Sequence, residues 1–261
     1  MQPIAYKTDK MSWTFILSAL RRIQADEVRE PSVDLNLEAS SCIVMSCLAI
    51  EAYVNEVSSL TAVFLHKQKQ DQLLHNFNST LMEDKIFHQT LKDVTNIRLN
   101  RQGSFYDRFK QLLCYFNIQM PNWLEDLSSI GKVRDAFVHF RECDVPIIVD
   151  ESNVIKEGQE LPSDLKKLQN RKYHGKQLFA PPEGSPWTLR LATDAMAAWS
   201  LSLCINAIEY ILNELPNDRY KNFVWKAYSC RDPNFDTLFA WGKNILTVWW
   251  ESLADAETSN R

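Results

Sequence analysis

Residues 37–64, Leu-Glu-Ala-Ser-Ser-Cys-Ile-Val-Met-Ser-Cys-Leu-Ala-Ile-Glu-Ala-Tyr-Val-Asn-Glu-Val-Ser-Ser-Leu-Thr-Ala-Val-Phe, carry a long helical pattern. Ile43, Val44, Cys47, Leu48, Val54, Val57, Thr61 and Phe64 repeat at steps of three and four, the period of a single helix face. A helix is expected from about Leu37 to Lys67. Glu51 falls inside the apolar line, where an unpaired carboxylate costs on the order of several kcal/mol. It therefore calls for a cation or donor, with Arg134 and His139 as candidates. The alternative places Glu51 at the edge of the stripe, its stem packed and its head in water. Asn55 and Ser58 continue the polar line.

The same periodicity recurs on both sides. Phe15, Ile16, Ala19, Leu20 and Ile23 predict a helix over 11–28, stopped by Glu30-Pro31. A weaker pattern covers about Leu81 to Asn96. Ser104-x-x-Asp107 reads as a capping box opening a helix with Phe105, Phe109, Leu112, Leu113 and Phe116 on one face. Pro121 begins a short amphipathic piece, and Gly131 is expected to break the pattern so that a new helix starts near Lys132. Helical spacing is lost from 143 to 187, where Val145–Val149 and Asn153–Ile155 predict a hairpin around Asp150–Ser152. A buried helix is expected over Trp187 to Leu215, and two more over 217–228 and about 235–254. The last is rich in Trp and covers either its own core or a partner's. The expectation is an all-α antiparallel bundle in one domain, 1–261, with an irregular insertion at 143–187 and a helical extension at 216–261.

Composition removes many functions. Six glycines form no G-x-G-x-x-G, Walker or G-x-S-x-G motif. His66, His75, His88 and His174 lie far apart without H-E-x-x-H, so neither a metal nor a cofactor is expected. The six cysteines show no C-x-x-C and read as buried reduced thiols of a cytoplasmic protein. The N-terminus lacks a charged start with an apolar run, so no signal peptide is expected. The apolar run Ala195–Leu212 is interrupted by Asn206 and Glu209 and reads as a core helix rather than a membrane span. With a net charge of −4, any nucleic-acid contact must be local.

Residues 128–142, Ser-Ser-Ile-Gly-Lys-Val-Arg-Asp-Ala-Phe-Val-His-Phe-Arg-Glu, supply the chemistry. Starting a helix near Lys132 would put Arg134, Asp135 and His139 at an N-terminus, where free N–H groups and the helix dipole attract anions. Asp135 and His139 are four apart and share a face, so the carboxylate is expected to orient the imidazole. Arg134-Asp-Ala-Phe-Val-His139 resembles the R-x4–6-H signature of HEPN domains, and Ala49–Glu56 resembles the long helix that faces the motif in that family. The resemblance covers 37–67 and 121–142, and extends to 188–215.

It implies a helical homodimer with the motif helices facing across a cleft, and a metal-independent endoribonuclease acting as a toxin or antiphage effector. A cognate antitoxin or defence-system protein is a further implied partner. Arg134 would stabilise phosphorane charge and two copies of His139 would divide the acid and base roles, with Asp135 and Glu51 in support. Two positions depart from the family: Arg141 stands where some HEPN toxins have a modifiable tyrosine, and Asp135 where many active members have asparagine. The rivals are a non-catalytic HEPN-like dimer and an unrelated helical scaffold. RNA contact is expected from the basic, mobile stretch 164–176 through Lys166, Lys167, Arg171, Lys172 and Tyr173, against the plainer reading of solvated loop lysines.

Overall fold

A computed structural model describes residues 10–24, 36–75, 82–97, 104–138, 147–149, 155–157, 163, 165–179 and 190–259. The chain is mostly helical: α1 Met11–Gln24, α2 Leu37–His75, α3 Met82–Ile97, α4 Phe105–Tyr115, α5 Leu124–Val138, α6 Asp194–Glu214, α7 Asp218–Ala227 and α8 Leu238–Ser259. Sheet is limited among the described residues to two small antiparallel hairpins, β1 Ile147–Val149 with β2 Ile155–Glu157 and β3 Lys172–Tyr173 with β4 Lys176–Gln177.

α2 is the hub, touching α1, α3, α4, α5, α6 and α7. Its buried residues, such as Ile43, Cys47, Ile50, Val54, Val57 and Phe64, follow the expected spacing but form a broad band, because neighbours pack on several sides. Against it lies α6, buried along most of its length. Small side chains let these helices approach: the Cys204 thiol donates to Ser46 O at 3.0 Å, and Cys42 to Ala197 O at 3.8 Å. Both helices are long and apolar enough to cross a membrane by length and composition, yet 78% of the apolar window in α6 and 56% of that in α2 are buried within the bundle. α8 packs on α6 and α1, with Phe239, Leu246 and Trp250 buried, so its aromatic face covers this chain's own core.

Local signals set several boundaries. Ser104 and Asp107 form the expected capping box, with the Ser104 hydroxyl accepting from Asp107 N and Asp107 accepting from Ser104 N. Thr193 caps α6 and Asn217 caps α7. The β1–β2 hairpin pairs Val149 with Ile155, the last residue of the expected second strand, and β2 runs on to Glu157.

The expected break at Gly131 does not occur. The piece starting at Pro121 and the motif segment are one helix, α5, with Gly131 buried in its interior. Gly131 serves packing: a Cβ there would lie 2.8 Å from Phe105 Cε1, so its absence lets α4 and α5 close together.

Candidate functional site

Arg134 and Asp135 lie deep in α5, some ten residues past its start at Leu124, so the free N–H groups expected around them are absent. The anion-attracting end of α5 is instead at Leu124, where Glu125 and Asp126 already occupy the first turn. Asp135 lies beside the motif arginine: its Oδ1 is 2.9 Å from Arg134 Nε, with the side chain 55% exposed. That N–H is not aimed at the oxygen, and the buried Nε has no hydrogen-bond acceptor among the described residues. The Arg134 guanidinium carbon sits 5.9 Å from the Phe105 ring centroid. His139 lies outside the described residues.

Glu51 is paired, as its position on α2 requires, but by a different cation. Arg108 of α4 donates to Glu51 Oε1 and, at 3.5 Å, to Asn55 Oδ1. The Arg108 side chain is 13% exposed and that of Glu51 32%, placing the carboxylate at the edge of the stripe. Among the described residues Glu51 is paired with Arg108 rather than with the expected Arg134, and His139, the other expected partner, lies outside them. Arg108 borders the Phe105–Phe109–Leu112 face of α4, and that flanking position was the available sequence signal.

The two arginine–carboxylate pairs lie within electrostatic reach of one thiol, Cys47. Beneath them the Cys47 thiol, fully buried, feels the charges of Arg134, Asp135 and Glu51, and burial pushes it up to about 12. It stays protonated and donates to Ile130 O at 3.7 Å. Cys42 and Cys204 are likewise buried free thiols, whereas Cys114 is exposed, against the expectation that all would be buried. No group of three or more metal-ligating side chains occurs among the described residues.

The basic segment is anchored rather than mobile. Leu165, Leu168, Leu178 and Phe179 are buried on either side of the β3–β4 hairpin, whose turn places His174 and Gly175 at φ 45° and 84°. Arg171 grips Asp126 of α5 with both terminal nitrogens, at 2.5 and 2.6 Å, and its guanidinium carbon lies 4.8 Å from the Trp199 ring centroid. Tyr173 packs on Trp250 at 5.1 Å between centroids, and Lys176 lies over the same ring at 5.3 Å. Of the expected RNA contacts, Lys166, Lys167 and Lys172 face solvent, while Arg171 and Tyr173 are committed to packing.

A second carboxylate, Glu56, accepts from Ser12 N at 2.8 Å, Ser12 Oγ at 2.6 Å and Tyr228 Oη at 2.7 Å. It fastens the start of α1 to α2 and the turn after α7, a structural role. The echo of Ala49–Glu56 at Ala207–Glu214 behaves differently: Glu209 meets Lys243 at 3.5 Å and Glu214 is exposed.

No family model, curated protein or solved structure matches the chain. The HEPN resemblance therefore rests on the motif and the helix pattern alone.

Proposed function

We propose that the chain is a metal-independent endoribonuclease of the HEPN kind, acting in the cytoplasm as a homodimer. One observation carries the reading: a single helix holds both the motif arginine and the anchor of the basic hairpin. Arg171 fastens the hairpin to Asp126, roughly 12 Å along the α5 axis from Arg134. An RNA strand meeting Lys166, Lys167 and Lys172 would thus be held by a segment rigidly joined to the motif helix. Lys132, Asp135 and Val138 form an exposed line on α5, a face for the motif helix of a second copy.

In this scheme one His139 removes the ribose 2′-OH proton as the oxygen attacks phosphorus. His139 of the second copy protonates the departing 5′-oxygen as the P–O5′ bond breaks. Arg134 stabilises the phosphorane charge, and Asp135 holds its guanidinium in place. The products carry 2′,3′-cyclic phosphate and 5′-hydroxyl ends. A second reading, a non-catalytic dimeric binding module, is favoured by Arg134 being already engaged by Asp135. Incubating the purified protein with RNA in excess EDTA and identifying the termini separates the two. Cleavage with cyclic phosphate ends supports the nuclease, and intact RNA with retained binding supports the module.

A further inference from the structure

Where α7 packs on α2, the two helices border an open cleft of about 300 Å³. α2 contributes Phe64, Lys67 and Gln68, and α7 contributes Arg219, Asn222, Phe223 and Lys226. Each set follows the three-four spacing that aligns side chains on one helix face, so the cleft is built from two facing stripes. Lys67, Arg219 and Lys226 line it, and its described lining residues include no carboxylate. Lys67 and Lys226 are exposed and take part in none of the described ion pairs. In a chain of net charge −4 this concentration of positive charge runs against the composition.

The floor is aromatic. Phe64 is buried and supports the partly buried Phe223 ring, with centroids 5.3 Å apart. Phe64 is held in turn by Tyr220, at 5.2 Å, which hydrogen-bonds Thr61. Phe223 is therefore a braced ring that lines the cleft. Gln68 and Asn222 add amides, each with donors and an acceptor suited to a base edge. The volume lies at the small end of the range for ligand sites, about the scale of one nucleotide.

We propose that this cleft binds a nucleoside phosphate, either a free nucleotide or one nucleotide unit of an RNA strand. The phosphate lies against Lys67 and Lys226, and the base stacks on Phe223. The cleft is separate from the motif region: Phe64 and Glu51 are thirteen residues apart on α2, roughly 20 Å along its axis. The assignment does not depend on the nuclease reading.

The test uses the full chain and probes that 2′-OH attack cannot cleave. Short labelled uridine- and adenosine-rich 2′-O-methyl RNAs are titrated by fluorescence polarisation. AMP, UMP, GMP, CMP and inorganic phosphate are titrated by calorimetry. Binding of either kind should fall at least about tenfold in the Lys67→Glu/Lys226→Glu double variant, with a shallower salt dependence. Both changes are at exposed positions, and circular dichroism checks that the fold persists. Phe223→Leu keeps apolar volume while removing the stacking face, so it should weaken nucleotide binding but not phosphate binding. Binding of mononucleotides identifies a free nucleotide, and binding of RNA alone identifies a strand; either outcome carries the assignment. It is overturned if neither binds, or if the double variant binds as the wild type does. The nucleoside part is overturned if inorganic phosphate binds as well as AMP and Phe223→Leu changes nothing.

Discussion

The β3–β4 hairpin and the α2–α7 cleft are both locally basic and both contain aromatic rings, yet they use these groups in opposite ways. In the hairpin, Arg171 is tied to Asp126 and stacked near Trp199, while Lys176 and Tyr173 lie against Trp250. Those cations and rings hold the insertion to α5, α6 and α8. In the cleft, Lys67 and Lys226 face an opening with no carboxylate among its described lining residues, and Phe223 is braced but only partly buried. Charge density along a sequence therefore says little about binding until the groups facing each charge are known.

The largest separation between the two regions should appear in stability. Arg171→Ala removes a two-pronged ion pair and an aromatic contact, and should lower the unfolding free energy by about 2 kcal/mol in urea titration. A loss near zero would place the hairpin with the solvated loops and dissolve the contrast. Gly175→Ala should cost about 1 kcal/mol by the same measurement, because its φ of 84° is strained for an L side chain although nothing lies within 4 Å of the added Cβ. An unchanged midpoint would mean the turn relaxes without cost. Smallest of all, Lys67→Ala and Lys226→Ala should each shift stability by no more than about 0.5 kcal/mol, since neither enters a described ion pair. A larger loss at either would show that the cleft, too, commits its charges to the fold.

Much of the helical architecture was legible in the sequence because it depends on local periodicity. The Ile43–Phe64 spacing and the Ser104–Asp107 capping box appear where residue pattern placed them, whereas α6 starts at Asp194, behind its Thr193 cap, and not at the expected Trp187. Gly131 was misread because helix propensity argued for a break, whereas the packing of Phe105 supplies a tertiary reason to keep glycine inside a continuous helix. That one difference moved Arg134 and Asp135 from a helix start to a helix interior. The need for a partner at Glu51 was visible in sequence, but the choice of Arg108 depends on how α4 crosses α2. The cleft escaped sequence reading because its two stripes are about 150 residues apart and neither is unusual alone.

The nuclease reading stands or falls on a single comparison of RNA cleavage rates in excess EDTA between the wild type and the Arg134→Ala and His139→Ala variants. Light scattering and circular dichroism must show each variant folded, with the same mass as the wild type, which should be twice that of the chain. The account predicts that the wild type cuts RNA without metal and that each variant loses at least about a hundredfold in rate. Wild-type-like cleavage by both variants, or no cleavage by the wild type, would contradict it.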